Sequence, residues 1–464
     1  MSDVPVAPSS LQTRTERRID GGGRLAWIFA DRVEPDIVLH YVFEDETGLH
    51  DEWGVVYDSV RAISGHLPSA DWYEREISER FGVRFEGLAE RRPLMRVGPA
   101  GELRRIESPE VSTVLYGPVR SGIVESARWI VETAGEDFIA VCPSMFFKHR
   151  GLEERFVDTP VELAPFVAEH VSGTTASSHA AAFARAAERA MGIEVPDRAH
   201  ATRAVLVELE RIHQHLDSLA KLAEDGSLSV GSAQVFAAKE RVHRLLCDAT
   251  GNRFARGVIC VGGTRFDALG RLRETCARDL DVVERHARTA VARLIETQSF
   301  MDRLIGTGRL SREQVTQHGG VGPVARGSGV ACDVRAKDGY LYTPLAGEEA
   351  LERNGDAVSR ALVRVAEIQR SFQLVRNALD GNPGGPYSTP PTVCNGAAIA
   401  RVESPQGELL YFVRVAAGRI ARVAIRSASY ANWPLFVPSL PGNIFTDFSF
   451  IEHSFGPSQS EVDR

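Results

Sequence analysis

One short stretch of the sequence, KHRGLEER at 148–155, concentrates titratable side chains. Its acids Glu153 and Glu154 fall in the first turn of an expected helix, where the helix dipole favours carboxylates. Two interpretations fit these residues: a proton-relaying or redox-linked cluster, and a solvated helix start. The local pattern alone favours the solvated start.

A second stretch, SGTTASS at 172–178, is a run of small and hydroxyl residues bracketed by His170 and His179. Such residues serve either as helix caps and packing groups or as the remnant of a binding site. His213 and His215 lie two residues apart on an expected helix. They therefore face different directions and cannot bind one metal together.

A glycine-rich stretch, GGVGPVARGSG at 319–329, has some features of a phosphate cradle. A dinucleotide fingerprint needs G-x-G-x-x-G between a strand and a helix, with an acid about twenty residues further on. Pro323 and Arg326 break that spacing, and no strand–helix–strand pattern surrounds the stretch. We therefore expect a turn that brings the backbone close to a packed neighbour.

The amino-acid composition argues against several classes of function. The 464 residues include 54 Lys and Arg against 62 Asp and Glu, a net charge of −8, which argues against a nucleic-acid partner. No stretch approaches the roughly 18 uninterrupted apolar residues of a membrane helix. No two of the six cysteines are two or three residues apart. They are predicted to be reduced thiols that bind no metal or cluster.

The elements that must position these residues divide the chain into four parts. The predicted parts are a disordered lead-in at 1–20, a small α+β domain at 21–95, a linker at 96–110 and a larger domain at 111–464. The linker is polar and carries Gly and Pro, so few contacts are expected to cross it and the domains should be separable.

The predicted fold class is α+β, with a mainly α-helical larger domain that has β elements at both ends. Strands are predicted at 25–29, 36–43, 113–116, 127–133 and 138–142, and a β-rich part at 396–425. Helices are predicted at 71–81, 176–191, 198–223, 232–249, 267–297 and 346–379, and an irregular Pro-rich tail at 430–464.

Several strings, taken together, resemble one family of proteins. DWYERE at 71–76 and ERFGVRFEG at 79–87 closely resemble the signature of the 30 kDa-type (C) subunit of bacterial NADH:quinone oxidoreductase, or complex I. From residue 111 onward the sequence is similar to the 49 kDa-type (D) subunit of that enzyme and to the large subunit of energy-converting (group 4) nickel–iron hydrogenases. The matching strings are YGPVRSG at 116–122, HRGLE at 149–153, VPDRA at 195–199, ELER at 208–211, TGNRF at 250–254, VGPVARGSG at 321–329, DVR at 333–335, ASYANWP at 428–434 and VDR at 462–464. A C-like part fused to a D-like part is most similar to the formate hydrogenlyase and hydrogenase-4 large subunits.

The sequence departs from the hydrogenase pattern at the metal. In hydrogenases two cysteine pairs hold nickel and iron, and the corresponding positions here are Ser172, Thr175, Ser458 and Glu461. Nickel in such a site needs soft thiolates, which hydroxyls and one carboxylate replace poorly. The resemblance therefore implies a subunit without a metal of its own and without a working nickel–iron centre.

The quinone-site residues of the complex I family are also changed. The family places a Tyr in the early motif, where this sequence has Gly173, and a His in the first loop of the D-like part, which here carries Arg120 and Ser121. Glu125 falls where hydrogenases keep a proton-transferring Glu. The candidates for a replacement donor in the acceptor pocket are Tyr116, His149 and His179.

Three further residues, Arg150, Glu153 and Arg326, lie in family motifs that line the cleft facing a partner's cluster. An Arg there would favour the reduced form of the cluster, and a Glu would carry the proton that follows the electron. The competing interpretation is that the three form internal ion pairs without function.

The resemblance implies the fused C/D-like component of a complex I-related oxidoreductase on the cytoplasmic face of the inner membrane. The expected partners are an iron–sulfur small subunit similar to the B component of complex I, which holds the last [4Fe–4S] cluster, and antiporter-like membrane-arm subunits. The expected role is that of an NAD(P)H/quinone-type oxidoreductase subunit, which shapes the acceptor pocket and couples electron transfer to ion translocation. A quinone is the candidate acceptor, and NADH binding by this chain is not implied. The alternative is a scaffold that has lost redox chemistry but still couples to the membrane subunits; a hydrogenase with unorthodox metal ligands is the least favoured interpretation.

Overall fold

The computed structural model describes residues 8–95, 106–120, 125–338, 349–392 and 394–464. The strands are β1 (Arg24–Val33), β2 (Asp36–Asp45), β3 (Gly48–Val56), β4 (Ser59–Arg61), β5 (Arg84–Glu86), β6 (Ser112–Tyr116), β7 (Arg128–Ala134), β8 (Asp137–Ser144), β9 (Ile259–Cys260), β10 (Gly263–Thr264), β11 (Gly396–Ser404), β12 (Gly407–Ala416) and β13 (Arg419–Arg426). The helices are α1 (Pro8–Asp20), α2 (Asp71–Phe81), α3 (Leu152–Phe156), α4 (Ala164–Ala168), α5 (Ala176–Met191), α6 (Asp197–Asp225), α7 (Ser229–Thr250), α8 (Ala268–Ile295), α9 (Gln298–Leu304), α10 (Arg312–Gln317), α11 (Gly322–Arg326), α12 (Val334–Asp338), α13 (Ala357–Gly381), α14 (Ala428–Asn432), α15 (Phe448–Phe455) and α16 (Gln459–Asp463).

The N-terminal part is an antiparallel meander of β1, β2 and β3, with α2 packed against β1. Residues 8–20, which the composition predicts to be disordered, form helix α1 instead. Its apolar stripe consists of Leu11 and Ile19 at an eight-residue spacing, too sparse to stand out from the sequence. Arg18 pairs with Asp45 at 2.8 Å and so fixes the helix to the meander. Residues 1–7 lie outside the described residues.

The centre of the molecule is a bundle of α5, α6, α7, α8 and α13. The stripe that predicts helix α6 is fully buried, as Leu209 and Leu216 show. The same helix also buries charged residues on its other faces, among them Glu208, Arg211 and His215. A helix that is buried on all sides must pair its charges internally. Residues 346–348 of the predicted helix 346–379 lie outside the described residues, and the observed helix, α13, begins at Ala357.

The C-terminal sheet of β11, β12 and β13 lies between the bundle and the N-terminal meander, since α5 packs against β11 and β1 against β13. One hydrophobic cluster contains apolar residues of both parts, including Trp27 and Phe412. Buried ion pairs also join them: Arg24 contacts Glu408 at 2.7 Å, and Arg401 contacts Glu44 at 2.6 Å. The prediction that few contacts join the two domains is therefore wrong for the described residues.

The tail 430–464 is less irregular than predicted, because α15 and α16 form within it. Most of the predicted linker, 96–105, lies outside the described residues. Among the described residues, no helix has the length and apolar character needed to cross a bilayer. The predicted fold class, a small α+β part followed by a mainly helical domain with β elements at both ends, is confirmed.

Candidate functional site

The cleft is the place where loop 172–175, before α5, meets segment 458–461, where α16 begins. The Thr175 hydroxyl donates to Oε1 of Glu461 at 2.5 Å, and the Ser429 hydroxyl donates to Oε2 at 2.7 Å. Ser458 caps α16, since its hydroxyl accepts the backbone N–H of Glu461. Ser172 lies on the opposite wall with its hydroxyl 3.1 Å from that of Thr174. The two walls are thus joined directly through one buried carboxylate.

A nickel ion does not fit this arrangement. The donors are hydroxyls and a carboxylate, whereas nickel of this kind needs thiolates. Among the described residues no group of three or more His, Cys, Asp or Glu side chains could hold a metal ion.

His179 stands behind this carboxylate, one turn into α5. Its Nδ1 lies 2.7 Å from the Tyr411 hydroxyl, and its Nε2 lies 3.6 Å from Oε1 of Glu461. Burial works against ionisation of Glu461, but His179 and the two hydroxyl donors outweigh it and lower the pKa of that carboxyl. An ionised Glu461 accepts hydrogen bonds only. The arrangement therefore favours the tautomer with the proton on Nε2 and with Nδ1 accepting from Tyr411.

Glu210 of α6 caps the start of α5 from the side. Its carboxylate accepts the backbone N–H groups of Ser177 and Ser178, at 2.7 and 3.0 Å, and the Ser178 hydroxyl. Burial raises the pKa of Glu210 to about 7, and the nearby Glu461 adds to that effect. The first turn of α5 is thus held between two buried carboxyl groups of different acidity.

Glu125 lies at the outer end of the cleft, partly exposed to solvent. Its Oε2 accepts from the Ser458 hydroxyl and from the backbone N–H of Ser460, both at 3.1 Å, and Oε1 lies 3.6 Å from Nζ of Lys148. The Ser460 hydroxyl also donates to Glu125. Glu125 therefore contacts the C-terminal wall of the cleft directly.

Arg150 bridges the two walls on the exposed side. Its guanidinium donates to the carbonyl oxygens of His170 (2.8 Å), Val171 (2.7 Å) and Ser460 (3.0 Å). His149 is exposed beside it, with Nδ1 2.6 Å from the carbonyl oxygen of Asp463. The hydrogen bonds found for Arg150 in the described part of the chain all go to carbonyls, so no carboxylate in direct contact neutralises its charge.

Glu153 lies in a different environment, within a buried ion-pair group. It contacts Arg80 of the N-terminal part at 2.8 Å and Arg422 at 3.1 Å, and Arg464 lies 3.5 Å away. Burial raises its pKa, but Arg80, Arg422 and Arg464 outweigh burial and hold the pKa of Glu153 well below its usual range. A carboxylate held ionised by three arginines is poorly suited to carry a proton.

Arg326 is fully buried in a second ion-pair group. It contacts Glu367 at 2.6 Å and Glu403 at 2.8 Å, and Glu367 in turn contacts His215 at 2.9 Å. Burial acts against the charge of Arg326, yet Glu367 and Glu403 raise its pKa well above the usual value. Arg335 extends the group to Asp333 at 2.7 Å. These contacts match the competing interpretation of an internal ion pair.

Tyr116 has its ring against Phe445 and Phe448, with centroids 6.2 and 5.4 Å apart. Arg120, which occupies the loop position of the family's His, is buried and makes a bidentate ion pair with Glu452 of α15 at 2.7 and 2.9 Å. Ser121 lies outside the described residues. Both Tyr116 and Arg120 therefore pack against α15, which leads into the C-terminal wall.

The structure thus brings Glu125, Arg150 and His179 to the positions that align with the hydrogenase metal ligands. It places His149 beside Asp463 in a small pocket that Glu153 also lines, and Arg326 in a separate buried group. Sequence reasoning missed three cleft residues: Glu210, Tyr411 and Ser429. Glu210 lies inside the recognised ELER string, and its position on the same face as His213 and Gln214 was a usable signal. Ser429, in α14, lies inside the matching ASYANWP string, so that string was a usable signal, whereas Tyr411 reaches the cleft from β12 with no local pattern.

The outer surface beside Arg150 carries exposed apolar side chains. Val157, Leu163 and Phe166 are 50%, 51% and 38% exposed, within one short segment around α4. Arg265 stacks over the Phe166 ring at 4.0 Å.

Two family models match the chain. The model described as the respiratory-chain NADH dehydrogenase 49 Kd subunit matches residues 226–393 and 387–464, and that of the 30 Kd subunit matches residues 39–104.

Named relatives support the same grouping. Formate hydrogenlyase subunit 5 of Escherichia coli K12 is 28% identical over 96% of this chain and 85% of its own length. The carbon monoxide-induced hydrogenase of Rhodospirillum rubrum is 31% identical over 76% of this chain and 99% of its own. The C/D subunit of the NADH-quinone oxidoreductase of Rhodopseudomonas palustris BisB5 is 26% identical over 88% of this chain and 82% of its own.

Among solved structures, the membrane-bound sulfane sulfur reductase, an archaeal respiratory membrane complex, contains a chain that superposes with a TM-score of 0.70 at 26% identity. The match covers 78% of this chain and all of that one.

Proposed function

We propose a function for this chain from its family: it belongs with the complex I 49 kDa and 30 kDa subunits and the energy-converting hydrogenase large subunits. In this proposal the chain forms the electron-acceptor side of a membrane-associated oxidoreductase. Its relatives are subunits of complex I-related oxidoreductases and hydrogenases. In our proposal the acceptor is quinone-type, and electrons arrive from a [4Fe–4S] cluster held by a partner similar to the B component of complex I.

The observation that carries this proposal is Arg150. Its guanidinium ties both cleft walls together through three carbonyl oxygens and yet remains exposed on the outer face. A positive charge there would favour the reduced state of a cluster on a docked partner. The apolar segment around Phe166 provides a docking surface next to it.

Proton supply to the acceptor is assigned to Glu125 and His179. Glu125 is partly exposed and hydrogen-bonded to the cleft wall, so it connects solvent with the interior. Nε2 of His179 lies 3.6 Å from Oε1 of Glu461 in the interior of the cleft. We propose further that the complex acts on the cytoplasmic side of the membrane and that antiporter-like subunits couple the redox step to ion movement.

The donor set supports a complex that does not activate hydrogen at nickel. Thr175 and Glu461 hydrogen-bond to each other where the relatives' metal would need two thiolates.

The second candidate is a scaffold without redox chemistry, coupled to the same membrane subunits. It is favoured by the closure of the cleft itself, because Glu461 is buried and each of its two carboxylate oxygens accepts a hydrogen bond from within the chain.

Purification of the native complex followed by two assays distinguishes these candidates. Nickel analysis should give far less than one atom per chain. Reduction of ubiquinone-1 should be catalytic, with polysulfide assayed in parallel because the solved relative is a sulfane sulfur reductase. One nickel per chain would contradict the proposal of a subunit without nickel. Absence of reduction of both acceptors by a complex with intact clusters would favour the scaffold.

A further inference from the structure

An arginine outside the recognised site faces the tip of the cleft loop. Gly173 and Thr174 are exposed, whereas Ser172 and Thr175 on either side of them are buried. A β-carbon on Gly173 would lie 3.7 Å from Nη2 of Arg256. Because any longer side chain at position 173 would occupy the space in front of that guanidinium, glycine keeps the space open.

Unlike Arg120, Arg326 and Arg335, Arg256 makes no ion pair with a carboxylate among the described residues. Its guanidinium stacks on the Phe254 ring at 5.6 Å, and its Nε is buried without a hydrogen-bond partner. Glu169 is close in space, but its carboxylate accepts the backbone N–H of Gly257 at 2.8 Å instead. In the described part of the chain no ion pair or hydrogen bond of this guanidinium is found.

A half-buried guanidinium with free N–H donors is suited to an oxygen acceptor, because it carries several donors in a fixed planar arrangement and no acceptor of its own. The charge strengthens any bond to a carbonyl oxygen, and more so when that oxygen becomes anionic on reduction. The stacked Phe254 ring fixes the orientation of the donor plane.

We infer that Arg256, in the space left by Gly173, binds a carbonyl oxygen of the quinone-type acceptor at the mouth of the cleft. This inference rests on the proposed function and adds a specificity-determining residue to it. The competing use of Arg256 is an ion pair with an acidic residue of the docked partner subunit, since α4 and its exposed Phe166 are close by.

The test measures binding of ubiquinone-1 to the oxidised native complex, without turnover, by equilibrium dialysis. Arg256→Met should raise the Kd about tenfold or more, and Arg256→Lys should recover part of the loss. Gly173→Leu should raise the Kd similarly, because it fills the space while leaving the charge. Gly173→Ala should stay within about twofold of the parent, since a β-carbon makes only ordinary contact there.

The matched control is Arg271→Met, an exposed arginine that also stacks on a phenylalanine ring, Phe266, at 5.2 Å. It should leave the Kd unchanged. If the parent binds ubiquinone-1 and Arg256→Met binds it equally well, the inference fails and the proposed function stands. If Arg256→Met no longer purifies with its partners while Arg271→Met does, Arg256 is a docking residue and the inference is wrong. If the parent neither binds nor reduces ubiquinone-1, the proposed function fails and takes the inference with it.

Discussion

Replacing Arg326 with Met separates a structural from a redox role for the interior charges. The change removes the partner of Glu367 and Glu403, both of which are almost fully buried. Removing one member of a buried ion pair costs about 3–5 kcal/mol, because the remaining charge is left uncompensated. With an unfolding entropy of about 2.1 cal/mol/K per residue, 464 residues give roughly 1 kcal/mol/K. The expected fall in Tm is therefore about 3–5 °C.

The pH dependence of this loss provides a second check. Burial raises the pKa of Glu403 to about 7, and Arg326 opposes that rise, so its removal raises the pKa further. An acid whose pKa is higher in the folded than in the unfolded state favours folding when protonated, and that contribution is lost as the pH rises through the folded pKa. The drop in Tm should thus be smaller at pH 6 than at pH 8.

The assay is thermal unfolding of the purified complex at both pH values, with Arg273→Met on the exposed face of α8 as control. The control should shift Tm by less than about 1 °C, as surface substitutions stay within roughly 0.5 kcal/mol. An Arg326→Met complex with the parental Tm but an altered turnover rate would contradict this prediction and favour a role for Arg326 in the redox site.

Three other perturbations test separate parts of the proposed structure–function relationship. Glu210→Gln should flatten the pH dependence of stability. The pKa of Glu210 in the folded protein is about 7, so between pH 5 and 8 the parent should lose about 3 kcal/mol of unfolding free energy relative to this variant. Parallel curves of Tm against pH would contradict this. The Arg150→Met complex should assemble normally but reduce quinone about tenfold more slowly, which corresponds to ~1.4 kcal/mol of activation free energy. The exposed neighbour Arg155 is the control, and Arg155→Met should match the parent. Fragments 1–105 and 106–464 expressed together should co-purify, because Arg24 and Glu408 pair across the cut; fragments that separate at micromolar concentration would restore the hypothesis of independent domains.

Local periodicity predicted those parts of the fold that depend on nearby residues. Helix α6 was found because Leu209 and Leu216 repeat at helical spacing over many turns. Helix α15 was missed, although Phe448, Ile451 and Phe455 follow the same spacing, because it is only eight residues long and lies among Pro and Gly. The shared core was missed because the linker composition reports local flexibility and carries no information on contacts between distant segments.

The site was predictable only where family order supplied the long-range pairing. The resemblance pairs Thr175 with Glu461 because both align with metal ligands of the hydrogenases, and the structure shows the two residues in contact. No local pattern links Tyr411 to His179, which are 232 residues apart in the sequence. Glu153 was expected near the cleft, but nothing in its own string indicates the distant Arg422 that neutralises it.

We propose that this chain passes electrons from a partner's cluster to a quinone without nickel. The most direct measurement is electron paramagnetic resonance of the native complex after reduction, followed by addition of ubiquinone-1. We predict loss of the reduced-cluster signal within one turnover time, slowed in the Arg150→Met complex, and no nickel signal in either state. A cluster that stays reduced in the presence of ubiquinone-1, or that is reoxidised by protons with hydrogen release, would contradict the claim.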